Sequence, residues 1–111
     1  NEMDSNKESA MTMLMETIVC SAKEGKEKRL EKLLNTRVAF RKRSKKCEKA
    51  WVCKSADGAG TFLVQAIYVD EEGWRDISER IQTQLDTQDG GIETCLIGPP
   101  LVGMFLFEGE I

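Results

Sequence analysis

Histidine does not occur anywhere in the 111 residues, and its absence removes whole classes of chemistry. No Ser-His-Asp or Cys-His nucleophile pair can be assembled, and no imidazole can ligate a metal or act as a base near neutral pH. Proton transfer falls to a carboxylate, lysine, cysteine, tyrosine or water. The four cysteines (Cys20, Cys47, Cys53 and Cys95) never take the Cys-x-x-Cys spacing of zinc ribbons or thiol redox motifs. Buried, reduced thiols are the expectation, with no metal. Cys47 and Cys53 share a parity along one predicted strand, which places them on the same face, too far apart to bridge.

Long apolar runs are missing too. The most apolar early stretch, Met11 to Cys20, is broken by Glu16 and is about half of the ~20 residues that a membrane helix needs. No signal-peptide pattern is visible, so a cytoplasmic protein without a membrane partner is the expectation. Hydrophobic residues at 41% and charged residues at 32% are ordinary for a folded domain. Residues 1–10 are polar and read as a flexible tail; residues 11–111 suffice for one domain.

What is present is a strand-then-helix order written twice. Met11 to Cys20 reads as a strand and "KEGKEKRLEKLL" as a helix. "TFLVQAIYV" then reads as a strand and "DEEGWRDISERIQTQL" as a helix. A further strand closes each unit, "KAWVCKS" and "LVGMFLFEGE". Ser21-Ala-Lys-Glu24 has the form of a capping box, predicting that the first helix starts just after Cys20. Its apolar positions, Leu30, Leu33, Leu34 and Val38, form one buried stripe on an otherwise charged surface helix. Trp74, Ile77, Ile81 and Leu85 form the stripe of the second helix, with Asp70 placed to cap it. Gly73 in its first turn costs little there. Asp57-Gly58 predicts a tight hairpin turn. One short helical turn is expected around Ile92 to Leu96, and Pro99-Pro100 force extended chain into the last strand.

This βαββαβ order predicts an α+β, ferredoxin-like antiparallel sheet with both helices on one face. The strands barely alternate. Met13, Met15 and Val19 oppose Leu14, Ile18 and Cys20; Phe62, Val64, Ala66 and Tyr68 oppose Leu63, Ile67 and Val69; Phe105 and Phe107 oppose Met104 and Leu106. Two helices cover one face only, so a second copy is expected on the other, giving a homodimer.

Charge divides along the chain. From Lys23 to Lys54 thirteen basic residues stand against Glu24, Glu27, Glu31 and Glu48, whereas from Ser55 onward eleven acidic residues stand against Arg75 and Arg80. The densest run holds Arg41, Lys42, Arg43, Lys45 and Lys46. It reads either as an anion-binding edge or as a solvated segment that pairs with the acidic half, the latter favoured. Only Phe40 and Trp51 in that stretch could stack on bases, which argues against nucleic acid.

The first strand running into "KEGKEKRLEKLL", the "KAWVCKSADGAGTFLVQAIY" hairpin, "VDEEGWRDI" opening the second helix and "PPLVGMFLFE" closing the chain together resemble the dimeric α/β-barrel proteins of the antibiotic-biosynthesis-monooxygenase type. The resemblance spans about Met11 to Phe107. It implies a homodimer with a cavity between sheet and helices in each subunit. It also implies oxygenation of a small aromatic or quinol-like substrate without any cofactor, the substrate's own carbanion reducing oxygen. A heme-degrading relative uses an Asn, a Trp and a His where this chain has Ile18, Tyr68 and Ile77, so that activity is excluded. The pocket candidates are Glu16, Gln65, Tyr68 and Trp74, with Trp51 beside them. Glu16 interrupts an apolar strand and is a candidate base, or a carboxylate at the dimer rim or bonded to Gln65 across the sheet. Tyr68 is the candidate donor to a developing phenolate, and Gln65 the group that orients a substrate oxygen. Trp74 and Trp51 are candidate binding surfaces, core packing being the other role for Trp74. The alternative is a non-catalytic dimeric module that binds a small hydrophobic ligand or a protein partner.

Overall fold

Four antiparallel strands in the order β2-β3-β1-β4 carry two helices on one face. The computed structural model describes residues 11–109, so the predicted tail at 1–10 lies outside the described residues. The strands are β1 (Met11–Ser21), β2 (Cys47–Lys54), β3 (Thr61–Tyr68) and β4 (Leu101–Gly109). The helices are α1 (Glu27–Lys42) and α2 (Glu71–Arg80). α2 runs on through a π-helical segment, Ile81–Asp86, and a last turn, Thr87–Asp89. A 3-10 turn at Ile92–Cys95 leads back towards β4. This is the βαββαβ order read from the sequence, and the fold is ferredoxin-like.

The core lies between the helices and one sheet face. Leu14 and Cys20 of β1 and Phe62, Val64, Ala66 and Tyr68 of β3 meet Leu30, Leu33, Leu34 and Val38 of α1 and Ile77 and Ile81 of α2. The other face carries Met15, Val19, Leu63, Ile67, Phe105 and Phe107, and no described element packs over it. Strand β4 is the least covered part, with Leu101 and Leu106 each 73% exposed.

Four local expectations are corrected. Ser21 does not cap α1, because it ends β1, where its hydroxyl bonds Thr61 Oγ1 at 2.9 Å. The chain turns at Gly25 in the left-handed region (φ 84°), which glycine adopts freely, and the helix begins at Glu27 without a side-chain cap. The hairpin joins β2 and β3 as read, but through residues 55–60 rather than a two-residue turn; Asp57 Oδ1 accepts from Ala59 N at 2.9 Å. Cys47 and Cys53 do not share a face. A bulge between Cys47 and Lys49 inserts one residue, turning Cys47 towards the helices opposite Tyr68 while Cys53 faces outward opposite Leu63. Burial pushes the Cys20 and Cys47 thiols up from their ordinary value.

Asp70 caps α2 as predicted, accepting from Gly73 N at 2.7 Å. Gly73 is there for more than tolerance: a Cβ on it would lie 2.6 Å from Lys46 Cβ. Alanine in an open helix position would gain about 1 kcal/mol over glycine. Here the collision reverses the sign, and Gly73→Ala is expected to lower stability by about 1–3 kcal/mol, measured as a lower urea midpoint.

Candidate active site

From Leu14 to Cys20 the helix-facing side of β1 would be apolar throughout but for Glu16, which sits opposite Ala66 on β3 and Met104 on β4. Ala66 has no bulk to fill the space above it, and three polar groups converge there. Tyr68, two residues further along β3, donates its hydroxyl to Glu16 Oε1 at 2.7 Å. Trp74, in the first turn of α2, donates Nε1 to Glu16 Oε2 at 3.3 Å. Arg41, in the last turn of α1, donates Nε to Tyr68 Oη at 3.0 Å and brings its NH2 within 3.6 Å of Glu16 Oε1. Glu16, Arg41 and Tyr68 are all buried. Among the described residues no buried side-chain nitrogen or oxygen lacks a hydrogen-bond partner, so the cost of removing these groups from water is offset by mutual bonds. Burial drives the Tyr68 hydroxyl far above its ordinary range, with Arg41 opposing and Glu16 reinforcing. The phenol therefore stays protonated and donates.

A second ion cluster braces the wall beside it. Arg37, one turn before Arg41, is also buried; it reaches Asp86 Oδ1 at 2.5 Å and Asp89 at 2.8 and 3.0 Å, and donates to Leu33 O at 3.2 Å. It fastens the π-helical segment to α1. Thr83 and Thr87 donate back to the carbonyls of Glu79 and Thr83 at 3.1 and 2.7 Å, a pattern that bends helices. The bond from Arg37 holds the Asp89 carboxyl below the usual carboxylate value. Its contribution to stability is complete above about pH 4, the unfolded value, and is lost as pH falls through the lower folded one. Asp89→Asn is therefore expected to be less stable than the wild type at pH 7. The gap should close as pH drops below about 4, which urea titrations at the two pH values will show.

Between the two clusters lies a cleft of about 540 Å³. Glu16 forms part of its floor, Arg37 and Arg41 one wall, Ser78, Ile81, Gln82 and Asp86 the other, and Ile92 and Glu93 its far end. The π-helical segment thus lines the opening, a position where such segments often carry function. The cleft presents a carboxylate beside a guanidinium on a floor held by Tyr68 and Trp74, which do not themselves line it.

Of the residues singled out in the sequence, Glu16, Tyr68 and Trp74 come together. Gln65 and Trp51 do not join them. They sit opposite each other on the outward sheet face, where Gln65 Nε2 bonds Thr17 Oγ1 at 3.3 Å. Residues of odd and even number on β3 point to opposite sides, so Gln65 cannot share a pocket with Tyr68 or bond Glu16. Glu16 faces the helices rather than a dimer rim. Arg41 leaves the proposed anion-binding edge for the buried network, while Lys42, Arg43, Lys45 and Lys46 stay exposed and Lys46 pairs with Asp70 at 2.9 Å. The missed wall residues had one available signal. Arg37 and Arg41 continue the stripe of Leu30, Leu33, Leu34 and Val38 at three- and four-residue steps, so the helix buries both guanidiniums.

Among the described residues, no group of three or more His, Cys, Asp or Glu is placed to hold a metal ion, and no helix is long and apolar enough to cross a membrane.

No family model matches the sequence, and no curated protein sequence matches it. Solved structures do. Rv0793 from Mycobacterium tuberculosis superposes with a TM-score of 0.72 at 14% identity, covering 84% of this chain and 92% of its own. SnoaB, a cofactor-independent oxygenase from Streptomyces nogalater, gives 0.70 at 12% identity, covering 84% and 90%. A Caulobacter crescentus protein provisionally named an antibiotic biosynthesis monooxygenase gives 0.72 at 14% identity, covering 86% and 89%. At such identities the likeness is one of fold: this chain has the ferredoxin-like fold of the antibiotic-biosynthesis-monooxygenase-type structures.

Proposed function

We propose that the chain is a cofactor-independent oxygenase that binds a small hydroxylated aromatic or quinol-like substrate in the cleft above Glu16. The observation that carries this reading is the buried Glu16–Arg41 pair opening onto a cleft in a fold shared with SnoaB. Each carboxylate oxygen of Glu16 has a lone pair beyond the bond it accepts from Tyr68 or Trp74. Glu16 takes a proton from an activated C–H of the substrate, and Arg41 stands beside the developing oxyanion. Tyr68 and Trp74 are positioning residues that fix the carboxylate. The substrate anion passes one electron to dioxygen, the resulting radical and superoxide join through a new C–O bond, and the hydroperoxide loses water. The balance is one CH2 and one O2 giving one C=O and one water, all electrons coming from the substrate. Ile81 and Ile92 offer apolar contact to a flat ring, and the surrounding Ser78, Gln82 and Glu93 suit its hydroxyls.

The functional unit in this reading is a homodimer, because Met15, Val19, Leu63, Phe105 and Phe107 gather on the outward sheet face with no described element packed over them, and an apolar face of this kind suits a second copy. Trp51 and Gln65 then belong to the subunit interface.

One observation favours the alternative, a dimeric module that binds a small hydrophobic ligand or protein partner without chemistry: the four polar groups of the network satisfy one another. An oxygen electrode separates the two. With a naphthohydroquinone, the wild type is expected to consume oxygen, and Ser78→Trp, which fills the cleft, to abolish both uptake and calorimetric binding. Binding without enzyme-dependent uptake would establish the alternative.

A further inference from the structure

A separate cleft of about 240 Å³ lies on the outer side of the helix pair, lined by Phe40, Arg43 and Ser44 at the end of α1 and by Ile77, Arg80 and Gln84 on α2 and its extension. No carboxylate lines it, in contrast to the cleft above Glu16, where Glu16, Asp86 and Glu93 do. Two guanidiniums, a hydroxyl and an amide are its polar groups.

The Arg80 guanidinium stands 5.4 Å from the centre of the Phe40 ring, a stacked arrangement that limits its freedom before any ligand arrives. Its contact with Asp76 is long, at 3.4 Å, and exposed, the kind of pair worth little in water and readily exchanged. Ser44 Oγ accepts from Lys46 N at 3.1 Å, so its own proton is available to donate. The backbone N–H groups of Arg43 and Ser44 bond Phe40 O and Arg41 O, so those two carbonyls are occupied, and the guanidiniums have the negative end of the α1 dipole to offset. Lys42 and Lys45 are exposed, adjoin Arg43 and Ser44 in the chain, and add positive potential. Below these donors Phe40 and Ile77 form an apolar floor.

From this arrangement we infer that the cleft binds a phosphate-monoester-type oxyanion carried on a small apolar stem, the guanidiniums of Arg43 and Arg80 taking the oxygens and Phe40 and Ile77 the stem. Arginine matches a tetrahedral oxyanion with paired donors, and the small volume admits one headgroup rather than a stretch of polymer. The site is independent of the chemistry proposed at Glu16.

The test is calorimetry of the intact protein at low salt with phenyl phosphate, inorganic phosphate and a duplex oligonucleotide. Phenyl phosphate is expected to bind at one saturable site more tightly than inorganic phosphate. Arg43→Gln and Arg80→Gln, both at exposed positions, should each weaken it about tenfold. Lys32→Gln, on the same helix but outside the cleft, should leave it unchanged. Equal weakening by Lys32→Gln, or no saturation, would overturn the proposal in favour of diffuse charge. Tighter binding per phosphate by the duplex would overturn it in favour of nucleic acid.

Discussion

Arg41→Met is expected to lower folding stability by about 3–5 kcal/mol, far more than a substitution on the outward face of the same helix. The methionine fills much the same volume but strips Glu16 of the only cation placed against it among the described residues, leaving a carboxylate buried between an apolar strand and Trp74. It also removes the Nε bond to Tyr68 Oη. Breaking one half of a buried pair costs more than the pair is worth, because the remaining charge keeps its desolvation penalty. The double variant with Glu16→Gln should therefore recover a large part of the loss, since a neutral amide can still bond Tyr68 and Trp74. Denaturant titration of the four proteins gives the coupling directly. Additive losses would mean that the 3.6 Å contact is a coincidence of packing.

The second large effect is expected at the opposite face. Phe105→Glu places a charge on the apolar outward face, beside Met15 of β1 and on the edge strand β4, where Phe105 is 56% exposed. If two copies pack through this face, symmetry makes the change count twice. Each lost phenylalanine removes about 1.5–3 kcal/mol of burial, before the cost of desolvating two carboxylates is added. Association should weaken by at least about a hundredfold. Native mass spectrometry is expected to report a dimer for the wild type and a monomer for the variant, with Thr36→Glu on the outer surface of α1 leaving the dimer intact. A wild-type monomer at micromolar concentration would remove the sheet-to-sheet argument.

Where sequence and structure agree, the signal was periodic. The α1 and α2 stripes follow from residue spacing, and their residues pack in or against the core at the same three- and four-residue steps. The disagreements arise where one residue changes the count or where a polar group takes an apolar place. A single inserted residue at the β2 bulge reverses the face of Cys47 relative to Cys53, and nothing in "CEKAWVC" announces it. Ser21 and Glu24 fit a capping pattern equally well whether the chain enters a helix or, as here, ends a strand and turns at Gly25. Arg37 and Arg41 look like members of a solvated basic run until Asp86, Asp89 and Glu16, all distant in sequence, are brought to them. That step depends on tertiary contact. Glu16 stood out because it interrupts an apolar strand; its partners were half legible, through Tyr68 and Trp74. Gln65 was attractive for the same reason, and strand parity alone places it elsewhere.

The fate of dioxygen is the most direct measure of chemistry at Glu16. Turnover of a naphthohydroquinone or a tricyclic phenol under isotopically labelled dioxygen, in chelator-treated buffer, is predicted to place one labelled oxygen in the product carbonyl and the other in water, with Glu16→Gln reducing the rate at least about a hundredfold. Unlabelled product, or the same rate from the Glu16→Gln variant, would contradict it.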